Sequence, residues 1–134
     1  MDLTVERVVI SSDIKNISLI EKLIDDISSQ YDIHSDVYGK LLLGVVEGVN
    51  NAIVHGNKLD SSKNVKLEYQ ISDKDIQIVI MDEGKGFDYT KVPDPTLPEN
   101  VEKTHGRGIF LMNHLADEID FEKEGSMVKL TFNL

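Results

Sequence analysis

At 134 residues the chain is expected to form one domain, burying roughly two-thirds of its unfolded surface around a single core. A formal net charge of -10 argues against non-specific binding to nucleic acid or anionic membrane, which needs basic surface. The absence of cysteine excludes disulfides, thiolate-held zinc and a cysteine nucleophile, and the four histidines lack metal-ligand spacing. No leader-like start and no apolar run of spanning length is evident, so a cytoplasmic location is the default expectation.

Residues 3–11 carry Val5, Val8, Val9 and Ile10 and read as a first strand with imperfect alternation. Ser12 and Asp13 are candidate caps for a helix with the apolar stripe Ile17, Ile20, Ile24 and Ile27. A second helix is expected from near Ser35 to His55. Its stripe is Leu42, Val45, Val46, Val49 and Ile53, and Gly56-Asn57 is its stop. Next, Val65, Leu67, Tyr69 and Ile71 alternate with polar residues, and the turn 72–75 leads into Ile76, Ile78 and Ile80, which predicts an antiparallel hairpin. A second hairpin is predicted from Ile119 and Phe121, the turn 124–126, and Val128, Leu130 and Phe132. Between the hairpins, residues 88–105 hold all three prolines (Pro93, Pro95, Pro98) and are expected to form a mobile lid. The fold expected is α+β, a two-layer sandwich across residues 1–134.

Three short segments could carry chemistry. In Glu47-Gly-Val-Asn-Asn51-Ala-Ile-Val-His55-Gly56, Glu47, Asn51 and His55 share one helical stripe. Such a stripe is usually a solvated face. Here it holds an amide beside a carboxylate, oxygens that can bind Mg²⁺. Gly44 and Gly48, each costing about 1 kcal/mol relative to Ala in an exposed helix, are expected to let something approach the backbone closely. His55 is read as structural, favourable at a helix C-terminus, and His34, His105 and His114 receive no role.

In Asp82-Glu83-Gly84-Lys85-Gly86 a strand ends in a carboxylate and two glycines. Taken alone this is a tight turn; functionally, Asp82 could accept from an exocyclic amine such as that of adenine, with Gly84 and Gly86 giving the ligand room. In His105-Gly106-Arg107-Gly108, glycines run into the apolar Ile109–Met112, and free amides at a helix start favour phosphate. Arg107 could add charge or point to solvent. P-loop and Rossmann patterns are absent.

In this order and spacing the segments resemble the N, G1 and G2 boxes of the GHKL ATPases, which include gyrase-type topoisomerases, a heat-shock chaperone, mismatch-repair ATPases and histidine kinases. The resemblance covers almost the whole chain. It is nearest to the bacterial anti-sigma-factor serine/threonine kinases, through E-x-x-x-N-A-x-x-H-G and G-x-G-I-F-L-M. Neither a phosphoacceptor helix nor a transducer domain flanks the boxes in these 134 residues, so a self-contained histidine kinase or a topoisomerase is not the expectation.

The resemblance implies a Bergerat-type fold, a mixed, mostly antiparallel sheet covered on one face by helices. It implies ATP and Mg²⁺ as cofactors, Glu47 as general base, Asn51 as Mg²⁺ ligand and Asp82 as adenine reader. Gly84 and Gly86 would shape the pocket, and Gly106 and Gly108, with Arg107 between them, would meet the phosphates. Its partners would be a sigma factor and an anti-sigma antagonist, with a homodimer suggested. Thr104 stands where the family can carry a basic lid residue, with Lys103 and Arg107 as substitutes, and Met127 where a threonine often supports adenine. The alternatives are a nucleotide-switched binding module without catalysis and an orphan histidine-kinase catalytic domain.

Overall fold

The computed structural model describes residues 4–85 and 105–134. In chain order these form β1 (Thr4–Ser11), α1 (Ile17–Gln30), α2 (Ser35–Asn51), β2 (Asn64–Ile71), β3 (Asp75–Met81), α3 (His105–Leu115), β4 (Glu118–Glu122) and β5 (Met127–Asn133). The strands make one five-stranded sheet in the order β1-β2-β3-β5-β4. Its four pairings are all antiparallel, so the described sheet is more uniform than the mixed one expected.

Both predicted hairpins are present, and the pairing of β3 with β5 joins them edge to edge. Alternation along each strand sends every second side chain to one face, and the register aligns them across strands. Val8, Leu67, Ile80, Val128 and Phe121 thus form one row across all five strands. Tyr69, Ile78, Leu130 and Ile119 form the next. Fully burying each such aliphatic side chain contributes roughly 1.5–3 kcal/mol.

The helices cover this face. On α1 the predicted stripe holds, with Ile20, Ile24 and Ile27 buried and Ile17 half-buried. The expected cap acts one short turn early: the Asp13 carboxylate accepts from the Lys15 amide at 3.0 Å, opening a 3-10 turn, Ile14–Asn16, that leads into α1. α2 begins at Ser35 as expected, with the His34 ring nitrogen accepting from the Asp36 amide at 3.2 Å.

The buried side of α2 differs from the predicted stripe. Leu41, Gly44, Val45, Gly48 and Val49 are buried, whereas Leu42 and Val46 are half-buried. Gly44 and Gly48 therefore face the core, not a ligand. A Cβ on Gly44 would stand 3.0 Å from Phe132 Cζ, and one on Gly48 would stand 2.6 Å from Ile80 Cδ1 and 3.2 Å from Met112 Sδ. The missing side chains let the α2 backbone settle onto the sheet and α3.

Residues Ser35–Gly56 form 22 consecutive helical residues containing an 18-residue window of mean hydropathy 1.2, enough by length and composition to cross a membrane, contrary to the expectation from sequence. Leu41, Val45, Val49 and Ile53 on this helix are completely buried within the domain, which accounts for its apolar character.

Candidate functional site

The site grows from the far end of α2. A Cβ on Gly44 would lie 3.8 Å from Leu115 Cβ, and one on Gly48 3.2 Å from Met112 Sδ, so this side of α2 turns toward α3. Glu47 and Asn51 follow Gly44 and Gly48 by three residues each and lie on that same side, both half-buried. Because Leu115 meets Gly44 and Met112 meets Gly48, the helices run in opposite directions. The first turn of α3, which contains Gly106, Arg107 and Gly108, is thereby carried toward the end of α2 where Asn51 sits.

Past Asn51 the helix widens. Ala52–Gly56 is a π-helical turn, closed by the Asn57 amide donating to the Ala52 carbonyl at 2.8 Å. His55 falls in this turn and is half-buried. The turn delivers Gly56 directly against Asp82, the residue that follows β3. A Cβ on Gly56 would overlap the Asp82 carboxyl group, and a Cβ on Gly84 would overlap the Gly56 carbonyl. Only glycine at both positions permits this approach.

Asp82 is held from two sides. Its amide donates to the Ser126 carbonyl at 2.9 Å, extending the β3–β5 pairing, and its Oδ1 accepts from the Gly84 amide at 2.8 Å. The carboxyl is half-buried; burial pushes its pKa above the ordinary aspartate value, and the Gly84 hydrogen bond partly opposes that shift. Met127 lies opposite Met81 in the sheet, so an apolar pair immediately precedes Asp82.

Two residues that sequence reasoning passed over complete the arrangement. Asn57, read as part of a helix stop, is completely buried, and its Oδ1 accepts from the Glu83 amide at 2.7 Å. Glu83, given no role from sequence, accepts through its own carboxylate from the Asn64 amide at the start of β2. Gly86 and the expected lid lie outside the described residues, except His105, which opens α3.

The donor chemistry suits a magnesium nucleotide. A half-buried carboxyl over a floor of two glycines could accept from an adenine amine. Among the described residues no group of three His, Cys, Asp or Glu could enclose a metal. The Asn51 amide and the Glu47 carboxylate are a sparse oxygen set, appropriate for an ion that keeps most of its ligands from water and phosphate.

Helix on antiparallel sheet, with these boxes converging at one end of α2, defines a nucleotide-binding domain, and the chain belongs to the histidine kinase-like ATPase domain family, which it matches over residues 10–132. ATP is the nucleotide this membership implies. The chain is similar to a protein named serine-protein kinase RsbW from Staphylococcus epidermidis, 32% identical over 124 residues, covering 84% of this chain and 78% of the relative. It is also similar to the protein of the same name from Staphylococcus aureus, 29% identical over 118 residues, covering 83% of this chain and 74% of the relative.

Proposed function

We propose that the chain is a cytoplasmic, ATP- and Mg²⁺-dependent serine/threonine protein kinase that phosphorylates an anti-sigma antagonist and, in the alternate state, sequesters a sigma factor. The observation that carries this reading is the half-buried Asp82 carboxyl packed between Gly56 and Gly84, at the end of the helix bearing Glu47 and Asn51. Similarity to proteins named serine-protein kinase supports the reaction class.

In this reading Asp82 accepts from the adenine 6-amine and orients the nucleotide. The Asn51 oxygen holds Mg²⁺, which when bound neutralises phosphate charge. Amides of the first turn of α3, around Gly106, Arg107 and Gly108, receive the phosphates, and Gly84 and Gly86 leave room for the nucleotide. Glu47 takes the proton from a serine or threonine hydroxyl as its oxygen attacks the terminal phosphorus and ADP departs. Phosphoryl transfer relies mainly on positioning and charge neutralisation, so this small set of groups is sufficient.

The test is phosphate transfer from labelled ATP to proteins that co-purify with the chain. The parent protein should label a partner on an acid-stable serine or threonine. Glu47→Ala should still bind ATP in titration calorimetry while transfer falls by roughly 10²–10⁴-fold, the usual general-base contribution. Transfer at the parental rate would remove Glu47 from the role of base. An acid-labile product would indicate histidine as acceptor, and nucleotide-dependent partner binding without any transfer would leave a switch module.

A further inference from the structure

We propose that Asn57 is the positioning residue of the nucleotide pocket, setting where the Asp82 carboxylate stands; this rests on the reading of Asp82 as the adenine acceptor. The Asn57 side chain is completely buried, yet each polar atom has a partner. Its Nδ2 donates to the Asn64 carbonyl at 2.9 Å and to Ser12 Oγ at 2.8 Å, and its Oδ1 accepts from the Glu83 amide at 2.7 Å. A carbonyl can only accept and an amide N–H can only donate, so these partners allow a single orientation of the Asn57 amide.

Chain adjacency gives this network its consequence for the site. Asn57 follows Gly56, and Glu83 follows Asp82. One hydrogen bond between residues 57 and 83 therefore staples together the neighbours 56 and 82, whose close packing forms the floor of the pocket. Three consecutive amides leave β3, and each has a different acceptor. That of Asp82 goes to Ser126 and continues the sheet; that of Gly84 goes to Asp82 itself and closes the turn. Only the Glu83 amide ties the turn to the end of α2, across 26 residues of sequence. Without it the turn keeps its internal bond but loses its reference to Gly56. The other two partners of Asn57, Ser12 and Asn64, lie at the ends of β1 and β2 and anchor the amide from behind.

The probes are ATP and purine riboside triphosphate, which lacks the 6-amine. The parent should prefer ATP by on the order of 10-fold or more, the worth of one buried hydrogen bond to a charged acceptor. In Asn57→Ala that preference should collapse toward about 1-fold, because Asp82 no longer stands where the amine arrives. Ser12→Ala removes a different partner of the same amide; it should lower the melting temperature yet preserve the preference. A folded Asn57→Ala with the parental preference overturns the proposal, as does Ser12→Ala losing the preference to the same extent.

If Asn57→Ala does not fold, hydrogen exchange in the parent decides. Protection of the Glu83 amide in the nucleotide-free protein is expected, and exchange at the rate of an unstructured peptide overturns the staple. A parent that does not distinguish the two nucleotides overturns the adenine reading itself, an outcome separate from the failure of Asn57 alone.

Discussion

Two pairs of glycines on and beyond α2 do opposite work. Gly44 and Gly48 replace side chains that would strike Phe132, Ile80 and Met112, so they bring helix onto sheet and make hydrophobic contact closer. Gly56 and Gly84 replace side chains that would strike the Asp82 carboxyl and a backbone carbonyl, so they bring polar groups together. In the first pair the obstructing atoms are ends of side chains that can shift. In the second they include backbone, which cannot move without moving β3 or the helix end. A glycine's purpose is set by what lies opposite it.

The largest effect is expected from Gly84→Ala. The new methyl would stand 2.8 Å from the Gly56 carbonyl carbon and 3.0 Å from Asp82 Oδ1. Relief requires separating the two segments, so ATP affinity in titration calorimetry should fall on the order of 100-fold, and stability by about 1–3 kcal/mol.

Asp82→Asn separates stability from binding. It retains an oxygen for the Gly84 amide but no longer offers a carboxylate, so ATP affinity should fall by about 10- to 100-fold. Stability should move the other way. The folded-state pKa of Asp82 is raised by burial, so the folded protein holds the proton more tightly than the unfolded chain. Between the unfolded value, about 3.9, and the folded one, the parent loses stability as pH rises, and the full penalty persists at neutral pH. The Asn variant lacks that penalty, so thermal melts should place it above the parent at pH 7, with the gain vanishing once pH falls below about 4.

The smallest effects belong to the first glycine pair. Gly48→Ala would press on the flexible end of Ile80, costing about 1–3 kcal/mol less the roughly 1 kcal/mol gained in helix propensity. Gly44→Ala presses on the edge of the Phe132 ring, with Leu115 at ordinary contact distance, and should stay within about 1 kcal/mol of the parent. Denaturant melts would measure both, and ATP affinity should be unchanged in each. A Gly48 variant with normal stability and lost ATP binding would return that glycine to the ligand-facing role expected from sequence.

The hairpins and α1 were legible because their signals are local. Period-2 alternation in residues 65–80 and 119–132, and the isoleucines of α1, state directly which side is buried. The buried side of α2 was not, because it is apolar almost all round through residues 41–46, while Gly44, Gly48 and Ala52 carry little hydropathy signal. Neighbouring elements alone decide which side packs. Glu47, Asn51 and Asp82 stood out by residue type and spacing. Asn57 did not, because its side-chain partners are 7, 26 and 45 residues away, and its local context is satisfied by a helix stop. The signal that could have raised it is an amide immediately after Gly56, where a solvated stop needs no buried side chain.

The π-helical turn at Ala52–Gly56 carries one residue more than an ordinary helical turn needs. Its closing hydrogen bond spans five residues where an α-helix spans four. Five residues wound the π way and four wound the α way cover nearly the same rotation and rise, so deleting one residue between Asn51 and Gly56 would leave an ordinary α-turn. Glu47 and Asn51 would stay in place, and Gly56 and Asn57 would still arrive at Asp82 and Glu83. Across related chains with the same site, a one-residue deletion in this interval should therefore be tolerated, with the π-turn replaced by an α-turn.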